Sequence, residues 1–151
     1  MRRARQQLST IECERILNQN TSGILSLCGK DQQPYGVPLS YAYADHRIFF
    51  HIAKSGHKLD LIQENPRASF TVVDQDHVLP EAFTTKYKSV IVQGKLWIAK
   101  DPLKREGLIK LSEKYSPGFD PDPEIKRYGD QCEVLVLEVE TCTGKQAKEY
   151  L

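Results

Sequence analysis

Residues 47–60 read Arg47-Ile48-Phe49-Phe50-His51-Ile52-Ala53-Lys54-Ser55-Gly56-His57-Lys58-Leu59-Asp60. The first half alternates: Ile48, Phe50 and Ile52 fall on one face of an extended chain, and Phe49, His51 and Ala53 on the other. The second half opens at a glycine into a helical pattern carried by Leu59, Leu61 and Ile62 and stopped by Asn65-Pro66. A strand therefore hands over to a helix. The first amides of a helix lack internal partners and face the positive end of its dipole, so a turn of this kind suits an anion. Lys58 adds a full charge. Glycines and lysines also begin many ordinary surface helices, so the rest of the chain has to decide between the two readings.

Working outward, the preceding run Tyr35–Tyr43 places Tyr35, Val37, Leu39, Tyr41 and Tyr43 on one face and Gly36, Pro38, Ser40 and Ala42 on the other. The small face lets another body approach the backbone, either a flat ring or a packed helix. Pro38 cannot donate to a ladder, which points to an edge strand. Before it, residues 23–28 read as a strand joined to this one by the Gly29-Lys30-Asp31 turn. Ser9 with Glu12 has the form of a capping box and starts a helix over residues 9–19.

Downstream, residues 67–73 form a fourth strand, and 74–85, with Asp74, Asp76, His77 and Pro80, read as a surface loop that folds over a site. His77 among acids admits a metal reading or plain solvated charge. Residues 86–100 form the longest β-like run, with Gly94 marking a bulge. Asp101 and Pro102 cap a helix over 102–115, and residues 115–123 form a loop. A helical turn over 123–128 and a last strand over 133–140 follow, with Thr143-Gly144-Lys145 after that strand.

The chain has 151 residues and shows no repeat or linker, so residues 1–151 are read as one domain. Five or six strands with helices between them indicate an antiparallel barrel rather than a βαβ sheet. The formal charge is +1, from 21 Lys plus Arg against 20 Asp plus Glu, which argues against nucleic acid or an anionic membrane as partner. Cysteines 13, 28, 132 and 142 form no Cys-x-x-Cys pair, so no structural metal is expected. The basic run Met1–Gln7 has no apolar stretch behind it, and no 18-residue apolar run occurs. A cytoplasmic protein is the expectation.

The order of these signals resembles the flavin-binding split-barrel proteins related to pyridoxamine 5′-phosphate oxidase, and among them the nitroimidazole-resistance (Nim) branch. The residues that carry it are Pro34, Tyr35, Val37, Pro38, Leu39 and Tyr41; Phe50, His51, Ala53, Gly56, Lys58, Leu59 and Asp60; Asn65 and Pro66; Tyr87, Ser89, Val90 and Gly94; and Thr143, Gly144 and Lys145. The resemblance implies a mainly β (α+β) fold, a six-stranded antiparallel split β-barrel with peripheral helices. It implies a homodimer holding FMN between subunits. Val37, Pro38, Leu39 and Ser40 would lie along the isoalloxazine, and His51, Ile52 and Ala53 along the ribityl and ring side. Lys58 with Ser89 would hold the phosphate, Gly56 and Val90 would also belong to the cofactor site, and Lys145 would approach from the terminal strand. His51 would act on the substrate, although a lone strand histidine is more often structural.

Two departures are visible. His57 stands where many relatives carry arginine, and the signature of authentic pyridoxamine 5′-phosphate oxidation is missing. The activity so implied is an FMN-dependent oxidoreductase passing electrons from NAD(P)H to a small acceptor such as a nitroimidazole. No G-x-G-x-x-G fingerprint is present, so the donor would use the flavin cleft. The alternative is a non-catalytic flavin- or haem-binding module, a sensor or store, with His51 or His77 as haem ligand.

Overall fold

The computed structural model describes residues 4–151, so Met1, Arg2 and Arg3 of the basic N-terminal run lie outside the described residues. Helix α1 (Thr10–Gln19) begins at the expected capping box. Ser9 Oγ accepts from the Glu12 amide at 3.3 Å, and Glu12 Oε2 accepts from the Ser9 amide at 3.0 Å. It ends at Asn20, whose side chain donates to Ile16 O (2.9 Å) and to Asp74 Oδ1 (2.8 Å), tying the helix to the sheet.

Seven antiparallel strands follow: β1 (Ser22–Cys28), β2 (Pro34–Ser40), β3 (Ala42–Ala44), β4 (Arg47–Ala53), β5 (Arg67–Leu79), β6 (Thr84–Ile98) and β7 (Cys132–Gln146). Their order is β2-β1-β5-β6-β7-β4-β3. The two edge strands, β2 and β3, are consecutive in the chain and separated only by Tyr41. The sheet therefore bends round until its edges meet. Helix α2 (His57–Glu64) joins β4 to β5, while α3 (Leu103–Tyr115) and α4 (Asp122–Tyr128) join β6 to β7.

The mainly β, α+β class and the antiparallel pairing are as expected, and several details change. The strand count is seven, not six, because the extended run 35–43 breaks at Tyr41 into β2 and β3. Residues 74–85 are no loop: β5 and β6 continue as a paired ribbon from Gln75↔Lys88 to Leu79↔Thr84 around a short 3-10 turn at Pro80–Ala82. β7 runs on through Thr143, Gly144 and Lys145 to Gln146, paired with β6 along that length. The Gly94 bulge is present, with the β6–β7 register shifting between Gln93 and Gly94. A Cβ on Gly94 would stand 1.8 Å from Glu138 O, so only glycine fits the bulge.

Strand β4 is buried along one face and, on the other, at Phe49. Ile48, Phe50 and Ile52 join the main core with Leu25, Phe70, Val72, Val92, Leu135 and Leu137. Phe50 and Tyr41 meet Phe70 edge-on, with ring centroids 5.1 and 4.8 Å apart. Burying each such side chain contributes about 1.5–3 kcal/mol. On the outer side Phe49, Val134, Val136 and Ala99 form a second cluster against Leu103 and Leu108 of α3. That cluster does not reach His51, which stays exposed.

Candidate functional site

His51 lies opposite Val134 on β7, and Cys132 is opposite Ala53, so all four side chains share the outer face. Helix α3 covers the Phe49 end of this face and α4 stands beyond it. Between α3 and the sheet lies a cleft of about 370 Å³ lined by Ser40, His51, Leu108, Leu111, Ser112, Tyr115 and Ser116. A second lobe of about 160 Å³ brings His51, Leu108 and Ser112 together with Glu124, Ile125, Tyr128, Gly129 and Cys132. The lining is mostly apolar with a few hydroxyls and carries Glu124 but neither lysine nor arginine. Among the described residues no hydrogen bond holds the His51 imidazole, so both ring nitrogens are unspent.

Ser40 reaches this cleft because Tyr115 fixes the chain break beside it. The Tyr115 hydroxyl accepts the Tyr41 amide at 2.8 Å, lies 2.9 Å from Tyr41 O, and contacts Thr21 O. With a single proton it donates to one of these carbonyls at a time. It thus replaces the strand neighbour that Tyr41 lacks. The Tyr41 hydroxyl donates to Leu17 O at 2.7 Å, and burial raises its pKa far above the ordinary phenol value, so it stays protonated. Nothing in the local pattern around Tyr115 announces this role.

The expected site residues divide by face. Pro38, Ser40, His51, Ala53, Ser89 and Lys145 point outward, whereas Val37, Leu39, Ile52 and Val90 turn inward onto the core and present only backbone outside. Pro38, Ile24, Thr71, Ile91 and Thr143 follow one another across five strands as a single outer row. Ile24, Val73 and Ile91 on this face are 42, 57 and 44% exposed. Ser89 pairs with Lys145, which places those two side by side.

Lys58 is elsewhere. Gly56 caps α2 at φ 128° with no side-chain hydrogen bond, leaving the first amides of the helix open. His57 packs edge-on against Tyr35 with centroids 4.9 Å apart, which sets this turn beside β2. Tyr35 is level with Leu27, hence with Ala68 and Gly94, and Ser89 is five residues further along β6. At the rise of a strand this is roughly 15–20 Å. Within one protomer Lys58 and Ser89 are not brought together. Among the described residues no three His, Cys, Asp or Glu side chains converge as a metal site. No helix among them is long and apolar enough to cross a membrane.

The architecture is a curled antiparallel sheet with an apolar cleft between its outer face and α3. The family model described as pyridoxamine 5′-phosphate oxidase matches residues 9–146, and the chain belongs to that family. Among solved structures, it is similar to an FAD-binding protein from Mesorhizobium loti, at 29% identity over 95% of this chain and 98% of the other, with a TM-score of 0.69. A proposed 5-nitroimidazole antibiotic resistance protein from Bacteroides thetaiotaomicron shares the fold at 20% identity, 93 and 86% coverage and a TM-score of 0.80. So does the FAD and haem binding protein from Mycobacterium smegmatis, at 18% identity, 95 and 74% coverage and a TM-score of 0.80. A curated relative from Rhizobium meliloti, itself uncharacterized, is 30% identical over 88 residues, 58% of this chain. The match spans about half (53%) of that relative's length.

Proposed function

We propose that the protein is an FMN-dependent oxidoreductase that works as a cytoplasmic homodimer and passes electrons from NAD(P)H to a small uncharged acceptor such as a nitroimidazole. The observation that carries this reading is the cleft in which Ser40 and His51 meet, at the end of an exposed β2 face made of Pro34, Gly36, Pro38 and Ser40. A planar ring fits against such a face because no side chain longer than proline or serine stands on it. Bound there, a flavin supplies the redox chemistry, and the protein fixes the ring and excludes competing reactions. The backbone of Val37–Ser40 and of Ile52 and Ala53 flanks the ring. The open amides after Gly56, with Lys58, hold the phosphate through charge-assisted hydrogen bonds.

The apolar outer row through Ile24 and Ile91 is the surface a second copy covers. A dimer also explains how Ser89 and Lys145, distant from Lys58 in one chain, serve the same cofactor. They come from the partner. His51 orients the acceptor and delivers a proton to it as it is reduced. With Glu124 and no cation in the lining, the cleft suits an acceptor without a phosphate, in keeping with the missing signature for pyridoxamine 5′-phosphate.

A second reading, a flavin or haem carrier without turnover, is favoured by the unspent imidazole of His51 and the likeness to an FAD and haem binding protein. The visible spectrum of the purified protein separates the cofactors, since flavin and haem absorb in different bands. Anaerobic reduction by NADPH followed by reoxidation with a nitroimidazole then supports the enzyme. A flavin that binds but is neither reduced by NAD(P)H nor reoxidised by the acceptor leaves the carrier.

A further inference from the structure

Helix α1 lies against β7 where that strand carries a glycine. The Leu8 amide donates to Gly144 O at 3.0 Å and Gln7 pairs with Lys145, so the chain is tied to the strand just before the helix begins. A Cβ on Gly144 would stand 2.5 Å from Cys13 Sγ and 2.9 Å from Leu8 Cβ. The helix therefore seats its Cys13 thiol in the space that glycine leaves open. Gly144 pairs with Val90 and Cys142 with Val92, both of them buried in the core, so Cys142 and Gly144 face the same way, towards α1.

Cys13 and Cys142 meet there as two free thiols in side-chain hydrogen-bond contact. Cys13 is buried, whereas Cys142 is exposed. The other two cysteines are engaged locally: Cys28 Sγ donates to Gly29 O and Cys132 Sγ to Gly129 O, each at 3.7 Å. Burial pushes the Cys13 thiol up, with Glu12 and Glu14 adding to it. Packing around Cys142, the Cys13 thiol and Glu14 together push Cys142 up to about 12. Surroundings that disfavour thiolates leave a neutral disulfide untouched, and a reduced form without thiolate stabilisation shifts such a couple towards its disulfide.

We propose that Cys13 and Cys142 are a reversible dithiol–disulfide couple, oxidised by small disulfides such as glutathione disulfide, whose closed form staples α1 to β7. Cys142, the accessible member, attacks one sulfur of glutathione disulfide as its thiolate. That S–S bond breaks, and one glutathione leaves and takes up the proton. Cys13 then attacks the Cys142 sulfur of the mixed disulfide, the Cys13–Cys142 bond forms, and the second glutathione leaves as thiol. Two protein thiols are oxidised, and one glutathione disulfide is reduced to two thiols. The scarcity of thiolate slows the first attack at neutral pH but does not oppose the product. The link encloses most of the chain, so it acts by removing freedom from the unfolded state. It also braces the seam, since Leu17 of the same helix accepts the Tyr41 hydroxyl at 2.7 Å.

The test equilibrates the full chain with mixtures of reduced and oxidised glutathione at about pH 8.5, quenches with acid, alkylates the remaining thiols and maps the peptides without reduction. A single link should join the Cys13 and Cys142 peptides, with Cys28 and Cys132 alkylated. Tm of the oxidised chain should exceed that of the reduced chain by roughly 5–15 °C, and dithiothreitol should reverse both changes. Cys13→Ser should instead accumulate a glutathione adduct at Cys142, and Cys142→Ser should lose the redox-dependent Tm. A wild-type chain whose two thiols stay reduced at equilibrium, whose Cys142 keeps its glutathione adduct, or whose links scatter among the four cysteines overturns the proposal. So does an oxidised chain with unchanged Tm. Linkage and Tm are both read on the wild-type chain, so the result stands whether or not the serine variants fold.

Discussion

Tyr115→Phe removes one oxygen and should unsettle the seam of the whole sheet. The Tyr41 side chain is 0% exposed, and its backbone amide has the Tyr115 hydroxyl as its acceptor. Deleting that hydroxyl strands a buried N–H, which costs about 1–3 kcal/mol, and removes a donated bond worth about 0.5–1.5 kcal/mol. Thr21 is exposed and recovers a partner from water. The expected loss is about 3 kcal/mol, or roughly 6–12 °C in Tm for a domain of this size. Urea denaturation followed by circular dichroism should show the midpoint falling with an unchanged slope. Amide exchange should accelerate first at Tyr41. Tyr43→Phe is the control, since its hydroxyl meets only Glu14 at 3.2 Å and should cost under about 1 kcal/mol. If Tyr115→Phe stays within about 0.5 kcal/mol of wild type and the Tyr41 amide remains protected, the hydroxyl does not hold the seam.

Four further outcomes are expected. Lys58→Ala should weaken FMN binding about 10–100-fold in a fluorescence titration, with Tm nearly unchanged, because it removes a charged contact worth about 1.5–3 kcal/mol; an equal loss from Lys30→Ala would refute the assignment. His51→Ala should leave FMN affinity within about twofold and change acceptor turnover in stopped-flow reoxidation; unchanged turnover makes His51 structural. Burial brings Lys114 down to about 8 in the fold against a reference of 10.5, so between those values the unfolded chain holds more protons and this group's contribution to stability rises with pH. Urea midpoints between pH 7.5 and 9.5 should therefore climb more in wild type than in Lys114→Met, and parallel curves would count against the shift. Gly94→Ala forces a Cβ onto Glu138 O and should cost about 3 kcal/mol in the same assay, with a neutral result excluding the bulge geometry.

Elements whose signals are local were legible. The Ser9–Glu12 box, the alternation of β2, the two-faced β4 and the Gly94 bulge each depend on residues a few positions apart, and each is present. The ribbon at 75–88 and the end of β7 were hidden because both have solvent on their surfaces. Gln75, Asp76, His77 and Val78 are all exposed, as are Thr141, Cys142 and Thr143, so neither stretch alternates. Only pairing with β6 makes them strands. The break at Tyr41 was invisible for another reason, since its partner Tyr115 is 74 residues away.

The arrangement of the candidate site was not legible in the sequence. Ser40 and His51 become neighbours only when the sheet bends, whereas Lys58 and Ser89 fall apart because strand register sets Ser89 five residues from the level of Tyr35, beside the Lys58 turn. Leu108, Ile125, Tyr128 and Cys132 line the cleft as well, yet each looks like ordinary helix or strand packing until α3 and α4 are placed.

The central claim is that flavin is held between two copies of this chain. Sedimentation velocity of the FMN-loaded protein, recorded at the flavin absorption band, tests it in a single run. The flavin should travel with a dimer at one FMN per chain. Flavin that stays behind the protein, or sediments with a single chain, would contradict it.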